Sequence, residues 1–519
     1  MRYAPAIEAG PELWAKPRTI TMSDYETFWK PRGWQLIIIG PTSTWRQDWG
    51  EWEAIRDIVQ NALDEAESYT WERVDTPHYY GLEIADRGRG VAVADFLLGP
   101  PKVKPDYARG KFGEGMKIAA LALLRKGYPV YVETVGRELW MVFLEQKVNG
   151  KAETLAALWR SNGARVGTTF HIIGYDGPAF ERYFAVNLPR RLILAETPSP
   201  IVEPQVRYNQ LIRAAEMAAS PAGGIIYARD IYLQDIKSAF SYNLWGFDLA
   251  PDRHGPKNEA DMWVDAGRLW CGIGNVNLLE EFLPMVLEPP AVETEETRKI
   301  SMDRYAMGSE PVNNRLYTDL VKANAGAWQM AWRRIAGENS VIRTASRWDG
   351  MVKHLGYTSV GLQWGVRETL SQVITTDKSL IQESQERLKD AEIVPDYRLT
   401  PRALTHLKLA RKIASHFQVQ RVNAAVIPPA SERTRTAGLY DYPREEILIH
   451  LEQLESAQKT LDTVIHELGH HQAYKWAGDI TKAEDLTPLH SDKMTEVAAY
   501  IVAATASRQF DEELKGAEW

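Results

Sequence analysis

One cysteine, Cys271, is all that 519 residues contain, so the chain forms no internal disulfide and no zinc site built from several thiolates. Any metal it holds must rest on histidine and carboxylate. Apolar runs are short as well, and none approaches the ~20 residues that span a membrane. The opening "MRYAPAIEAGPELWAKP" lacks the apolar core of a secretory signal, which leads us to expect residence in the cytoplasm. Nor is there an excess of positive charge. With 61 basic against 69 acidic residues the net charge is -8, which offers nucleic acid no global attraction and leaves only a local basic patch as a route to it. Internal repeats and low-complexity blocks are missing too.

What is present is ample apolar material, 45% of the chain, at a length that favours two to four domains. The texture predicts an α+β multidomain protein. Residues 1–33, rich in Pro, Trp and charge, read as an irregular arm. The apolar strand "WQLIIIG" at 34–40 opens a first domain that runs to 200. Within it we expect a helix at 51–67 and strands at "YPVYVETV", "ELWMVFLE" and "GTTFHIIG". A middle domain is expected over 201–375, with "GIIYARDIYLQ" its clearest strand. Residues 376–400 read as a charged helix or connector, and 401–519 as a small domain of helices and short strands.

Two stretches carry chemistry. In the first, "DIVQNALDEAE", Asp57, Asn61 and Asp64 recur at spacings that place them on one helix face. Downstream, "IADRGRGV" puts Asp86 at a strand end, followed by Gly88 and Gly90, which permit a tight turn. In "RGKFGEGMKIAALALL" the glycines Gly110, Gly113 and Gly115 lead into an apolar helix, whose start presents backbone N–H groups and a positive dipole end to phosphate.

In their order and spacing, and with "VGTTFHI", these boxes resemble those of the GHKL (Bergerat-fold) ATPases, the superfamily of gyrase B, Hsp90 and MutL; the resemblance covers roughly residues 45–175. It implies an α/β sandwich that binds ATP with magnesium and closes as an ATP-dependent homodimer, in which the arm at 1–33 is placed to exchange between protomers. Asn61 would coordinate the magnesium ion and Asp86 the adenine amino group, with Gly88 and Gly90 shaping that pocket. Gly110, Lys111, Phe112, Gly113, Glu114, Gly115 and Met116 would form the phosphate lid. Thr168 or Thr169 would lie near the adenine, and Lys117 would either reach a phosphate or stay solvated. Gyrase-like relatives carry glutamate as general base where this chain has Asp57, one methylene shorter, so slow hydrolysis is expected. Glu53, a turn earlier, does not fit that base by its offset. Residues 201–375 stand where such proteins carry a transducer domain that sends a lysine to the nucleotide; Lys237 is a candidate, and an ordinary surface lysine is the alternative.

The second stretch is "VIHELGHHQAY". Its HExxH pattern puts His466 and His470 on one face of a helix, where two imidazoles bind one zinc, with Glu467 beside them as base toward water. Upstream, "REEILIHLEQ" reads as an edge strand able to pair with an extended peptide. A third ligand is needed, and "LHSDKMTEVAAYIV" offers His490, Asp492 and Glu496. The arrangement resembles the gluzincins, zinc peptidases of the zincin class, over about residues 401–510. That resemblance favours Glu496, with His490 as the alternative, either as ligand or as oxyanion stabiliser. Asp462, His471 and Tyr500 are candidates for outer support of the metal.

Together these readings lead us to expect a GHKL-type ATP module regulating a fused zinc peptidase that acts on protein or peptide. The alternatives are a DNA-associated ATPase with an accessory zinc domain, or a nucleotide-dependent switch without turnover.

Overall fold

The computed structural model describes residues 19–75, 80–96, 115–146, 152–163, 166–177, 183–199, 207–213, 223–250, 255–288, 314–442, 444–478, 482–483 and 487–515. They form a mixed α/β protein with several sheets, which divides into two compact units, Met1–Asp265 and Ala266–Trp519. Among the described residues no helix is long and apolar enough to cross a membrane.

The first unit is built on an eight-stranded sheet: β1 (Thr19–Ile20), β2 (Gln35–Thr42), β3 (Thr70–Asp75), β4 (Tyr80–Ala85), β5 (Val130–Thr134), β6 (Arg137–Gln146), β7 (Ala152–Ser161) and β8 (Thr169–Ile173). The order is β2-β7-β6-β5-β8-β4-β3, with antiparallel neighbours, and β1 adds in parallel beside the far end of β6. Every residue of the central β5 is buried. Helices α1 (Glu51–Ala66) and α2 (Gly115–Lys126) share one core with the sheet. Ile55, Ile58, Val59 and Leu63 of α1 and Ile118, Leu121 and Leu124 of α2 meet Leu82, Val132 and Phe170 there. Glu53 caps α1 by accepting the Gly50 N–H at 2.8 Å, which accounts for its place in the sequence without a catalytic role.

A second apolar cluster joins Ile20, Trp29 and Trp34 to Tyr131, Trp140, Val142 and Leu158 of the sheet. Residues 19–33 are therefore not an irregular arm: β1 and short helical turns over Met22–Arg32 fold onto β-sheet, because burying two indoles outweighs leaving the segment loose. Residues 1–18 of the expected arm lie outside the described residues.

A five-stranded sheet completes this unit in the order β12-β11-β13-β10-β9. Its strands are β9 (Ile193–Pro198), β10 (Tyr208–Arg213), β11 (Gly223–Ala228), β12 (Ile231–Lys237) and β13 (Phe240–Leu244). The stretch expected as one strand, "GIIYARDIYLQ", is a hairpin instead. Arg229 and Asp230 both take positive φ, the two-residue turn that matches strand twist. Asn243 holds Asp230 by a pair of 2.8 Å bonds, which offsets the strain. Helix α3 (Glu259–Cys271) crosses the division between units, so the region expected as one middle domain is shared between them.

The second unit contains α4 (Val276–Val286), α5 (Asn314–Ala323), α6 (Ala325–Ala336), a two-stranded sheet of β14 (Ser340–Ile342) and β15 (Thr358–Val360), α7 (Asp349–His354), α8 (Trp364–Leu370) and α9 (Asp377–Leu388). Its four-stranded sheet runs β16-β17-β19-β18, formed by β16 (Glu392–Val394), β17 (Arg421–Val426), β18 (Gly438–Asp441) and β19 (Glu446–His450). The segment expected as a connector thus supplies β16. Helices α10 (Pro401–His416), α11 (Ala457–Ala477) and α12 (Pro488–Ala506) share a core with the sheet, which includes Leu407, Ile413, Ile447, Ile449, Val464, Leu468, Val497 and Ile501. Strand β19, expected at an edge, is interior: β17 flanks it in parallel and β18 antiparallel. The edge beside α11 is β18.

Candidate functional site

Helix α11 places His466 and His470 one turn apart, with Nε2 to Nε2 at 3.2 Å. The His470 Nδ1 lies 2.6 Å from the Ala483 carbonyl. A carbonyl only accepts, so Nδ1 carries the proton and Nε2 keeps its lone pair for a metal. The third group beside the pair is His490, at the first turn of α12, where the Thr487 hydroxyl caps the helix by accepting the His490 N–H. His466, His470 and His490 bring one ligand nitrogen each to within 4.8 Å of one another. Three imidazoles around one point are a donor set suited to zinc.

Glu496, the ligand favoured from the sequence, does not join them. Its carboxylate is 61% exposed and pairs with Lys493 at 2.8 Å. The reason is rotational: His490, Val497, Ile501 and Ala504 form the buried face of α12, and Glu496 lies about 100° round from Val497. Asp492 and Asp462 are exposed. Tyr500 stacks on His416, ring centroids 3.7 Å apart, and packs against Phe417 and Phe510 in the core. His471 is structural support of another kind. Its Nε2–H donates to the Phe417 carbonyl at 3.1 Å and its Nδ1 accepts from the Tyr440 hydroxyl at 2.7 Å, tying α11 to α10 and β18. Burial lowers its basicity.

Glu467 is buried against the edge strand. A β-carbon on Gly438 would lie 2.8 Å from Glu467 Oε1, so the glycine lets the carboxylate rest against β18. Gly469, inside HELGH, is equally constrained: a β-carbon there would lie 2.5 Å from Met494 Cγ and 3.0 Å from His490 Nε2. The Tyr442 hydroxyl lies 3.4 Å from His470 Nδ1, on the side of the ring away from His466. Near-parallel to His466 at 18° and 6.5 Å between centroids lies His354, at the end of α7, which the sequence reading did not single out.

In the first unit, Asn61 Nδ2 donates to the Asp57 main-chain oxygen at 2.7 Å and to its Oδ2 at 2.9 Å. With its amide nitrogen so engaged, Asn61 turns Oδ1 away from Asp57. The Asp57 carboxylate sits on the first turn of α2, since a β-carbon on Gly115 would be 1.7 Å from Oδ2. A carboxylate there also complements the helix dipole without any catalytic role. Lys117 is buried, not solvated, and Met116 packs on the core. Asp64 is half-buried, and Gly110, Lys111, Phe112, Gly113 and Glu114 lie outside the described residues.

Asp86 is the hub of a second group at the end of β4. Its Oδ1 accepts from the Gly88 N–H at 2.7 Å and the Thr168 N–H at 3.3 Å, and its own N–H donates to the Thr168 carbonyl. Burial raises its pKa, opposed by those two N–H donors. Gly90, at φ +83°, passes so close to Thr134 that a β-carbon would meet its hydroxyl at 2.9 Å. Thr134, missed from the sequence, accepts from the Val91 N–H and lies 3.3 Å from the Thr168 hydroxyl. Thr168, rather than Thr169 within β8, is therefore the threonine at Asp86. Gly88 rests on Glu65 of α1, one turn beyond Asn61. Lys237 is exposed at the end of β12.

Compared with models of known protein families and with curated protein sequences, the chain matches none.

Proposed function

We propose that the second unit is a zinc-dependent peptidase and that the first binds ATP with magnesium and regulates it. The observation that carries the reading is the convergence of His466, His470 and His490 beside a buried Glu467, under a strand edge. Zinc, when bound, polarises a carbonyl and makes water more acidic. The chain's own groups do the rest. His466, His470 and His490 hold the ion, and the Ala483 carbonyl fixes the tautomer of His470. An extended peptide adds to β18 through main-chain hydrogen bonds, which seats a scissile carbonyl near Glu467. Glu467 takes a proton from water as the water oxygen bonds to the carbonyl carbon and the π pair moves to oxygen. It then gives that proton to the leaving nitrogen as the C–N bond breaks.

For the first unit, support comes from Asn61 Oδ1 facing away from Asp57 and from Asp86 held by Gly88 and Thr168. The acidic balance speaks against nucleic acid as the partner. Zinc titration of the full chain tests the metal site. One zinc per chain is expected; His490→Ala should weaken its binding more than ~100-fold, beyond the loss of an outer-shell contact, while Glu496→Ala leaves it unchanged. Glu467→Gln should keep the zinc and abolish cleavage of labelled casein. Undiminished cleavage by that variant overturns the assignment.

A further inference from the structure

We propose that Gly438 is a positioning residue of this site: having no side chain, it lets the edge strand close on Glu467, so that the base stands beside a peptide paired with that strand. The inference rests on the peptidase reading above.

Gly438 opens β18 and Tyr440 stands two residues on, so both turn the same face of the strand, here the one toward α11. The Tyr440 hydroxyl donates to His471 Nδ1 at 2.7 Å, which ties the strand to the helix. Glu467 precedes His471 by four residues, a rise of about 6 Å along a helix, and Gly438 precedes Tyr440 by about 6.7 Å of strand. The two steps match. Strand and helix therefore run side by side with Tyr440 against His471 and Gly438 against Glu467.

At Gly438 the approach is closer than any side chain allows. A β-carbon there would lie 2.5 Å from Thr463 Cγ2, 2.8 Å from Glu467 Oε1 and 3.0 Å from Glu467 Cγ. Both neighbours are buried, one turn apart on α11, and the Thr463 hydroxyl is held by the Lys459 carbonyl at 2.9 Å. Gly438 does not have a positive φ, so space and not backbone conformation demands the glycine.

The strand is anchored on its other side. Gly438 pairs with Ile449 of β19, and the Ala437 carbonyl before it accepts the His450 N–H at 2.8 Å. Among the described residues no strand takes the second edge of β18, which is where an extended peptide would add. A base acts only within hydrogen-bond reach of its water, and a shift of about 1 Å costs roughly 10²-fold in rate. A side chain at 438 must displace either the strand or the carboxylate. Gly438 thus acts through Glu467 and touches no reacting atom.

The test uses the zinc-loaded full chain. Gly438→Ala is expected to lower kcat for labelled casein by about 10²-fold, with KM held and zinc affinity unchanged by chelator competition. A second variant separates the base from its neighbour. Thr463→Ser removes the methyl nearest the new β-carbon, so Gly438→Ala combined with Thr463→Ser relieves the strand but leaves the conflict with Glu467; it should stay slow, and it carries the same comparison if the single variant does not fold. Calorimetry with acetohydroxamate, whose proton needs an acceptor beside the metal, reads the carboxylate without turnover. Its affinity should fall about tenfold or more in both variants, as for a lost charge-assisted hydrogen bond. Wild-type turnover in Gly438→Ala, or recovery of it in the combined variant, overturns the proposal, the latter by making the loss one of packing on Thr463. A fall in zinc affinity in Gly438→Ala also overturns it, because the metal site and not the base has then moved. Failure of the wild-type chain to take up zinc or to cut casein removes the peptidase reading itself, and this proposal with it.

Discussion

A β-carbon on Gly469 would overlap Met494 and press on His490, so a residue with no side chain governs how closely α12 approaches α11. Helix propensity alone favours alanine there by about 1 kcal/mol. Gly469→Ala is therefore expected to leave helix content intact while displacing His490, and zinc affinity should fall about tenfold or more. Competition with a chromophoric chelator reads this directly; wild-type affinity in the variant would mean that Met494 yields and His490 stays. Gly115 stands in the same relation to Asp57, more severely. An alanine there must push the carboxylate off α2, and with it the Asn61 amide. Gly115→Ala should abolish Mg-ATP binding by calorimetry while Lys237→Ala does not, and equal binding by all three proteins would separate Asp57 and Asn61 from the nucleotide.

The pair His466 and His470 was legible because helix geometry fixes i and i+4 without reference to the rest of the chain. Which third side chain joins the pair depended on the rotation of α12. The signal was present: His490, Met494, Val497, Ile501 and Ala504 follow the spacing of one buried helix face, and Glu496 does not. Family likeness pointed to Glu496, which lies on the exposed side of that helix beside Lys493. Strands were legible where β-branched and aromatic residues run together, as at β5 and β6. Their order was not, since neither the interior place of β19 nor the hairpin at Arg229 and Asp230 follows from local pattern. His354 escaped notice because it lies 112 residues before His466 in a segment without a motif.

One element-scale feature lay beyond any sequence pattern: a row of polar side chains crossing the main sheet. His171 on β8 is fully buried between Glu83 on β4 at 2.9 Å and Glu133 on β5 at 3.0 Å. Tyr131 and Arg160 continue the row through Glu138. Burial alone would lower the basicity of His171, but its hydrogen bonds to Glu133 and Glu83 outweigh that and its pKa is raised. A raised folded-state pKa stabilises below the unfolded value near 6.5, and the contribution is lost as pH rises through the folded value. Denaturant unfolding of the full chain should accordingly show the first unit losing stability toward alkaline pH. His171→Phe should flatten that slope and leave the buried Glu133 uncompensated, which costs about 3–5 kcal/mol. An unchanged slope in the variant would place the pH dependence elsewhere.

At the scale of the whole molecule, the two sites lie in different compact units of one chain. A ligand shifts a distant site only through different affinities for two states of the protein. Coupling therefore makes a reciprocal claim: if Mg-ATP alters peptide affinity, peptide must alter Mg-ATP affinity by the same factor. The slow hydrolysis expected from Asp57 would let the nucleotide-bound state persist, as a regulatory state requires. Casein cleavage by the zinc-loaded chain is expected to change by about 5–150-fold on adding a nonhydrolysable ATP analogue, the usual range of such couplings. Asp86→Asn, which puts an N–H donor in place of one carboxylate oxygen at the proposed adenine site, should abolish the change while zinc content stays at the wild-type level. Sedimentation with and without the analogue shows whether the switch is self-association. Cleavage indifferent to nucleotide in the wild-type chain, with both ligands demonstrably bound, would mean that the sites share a polypeptide and no equilibrium.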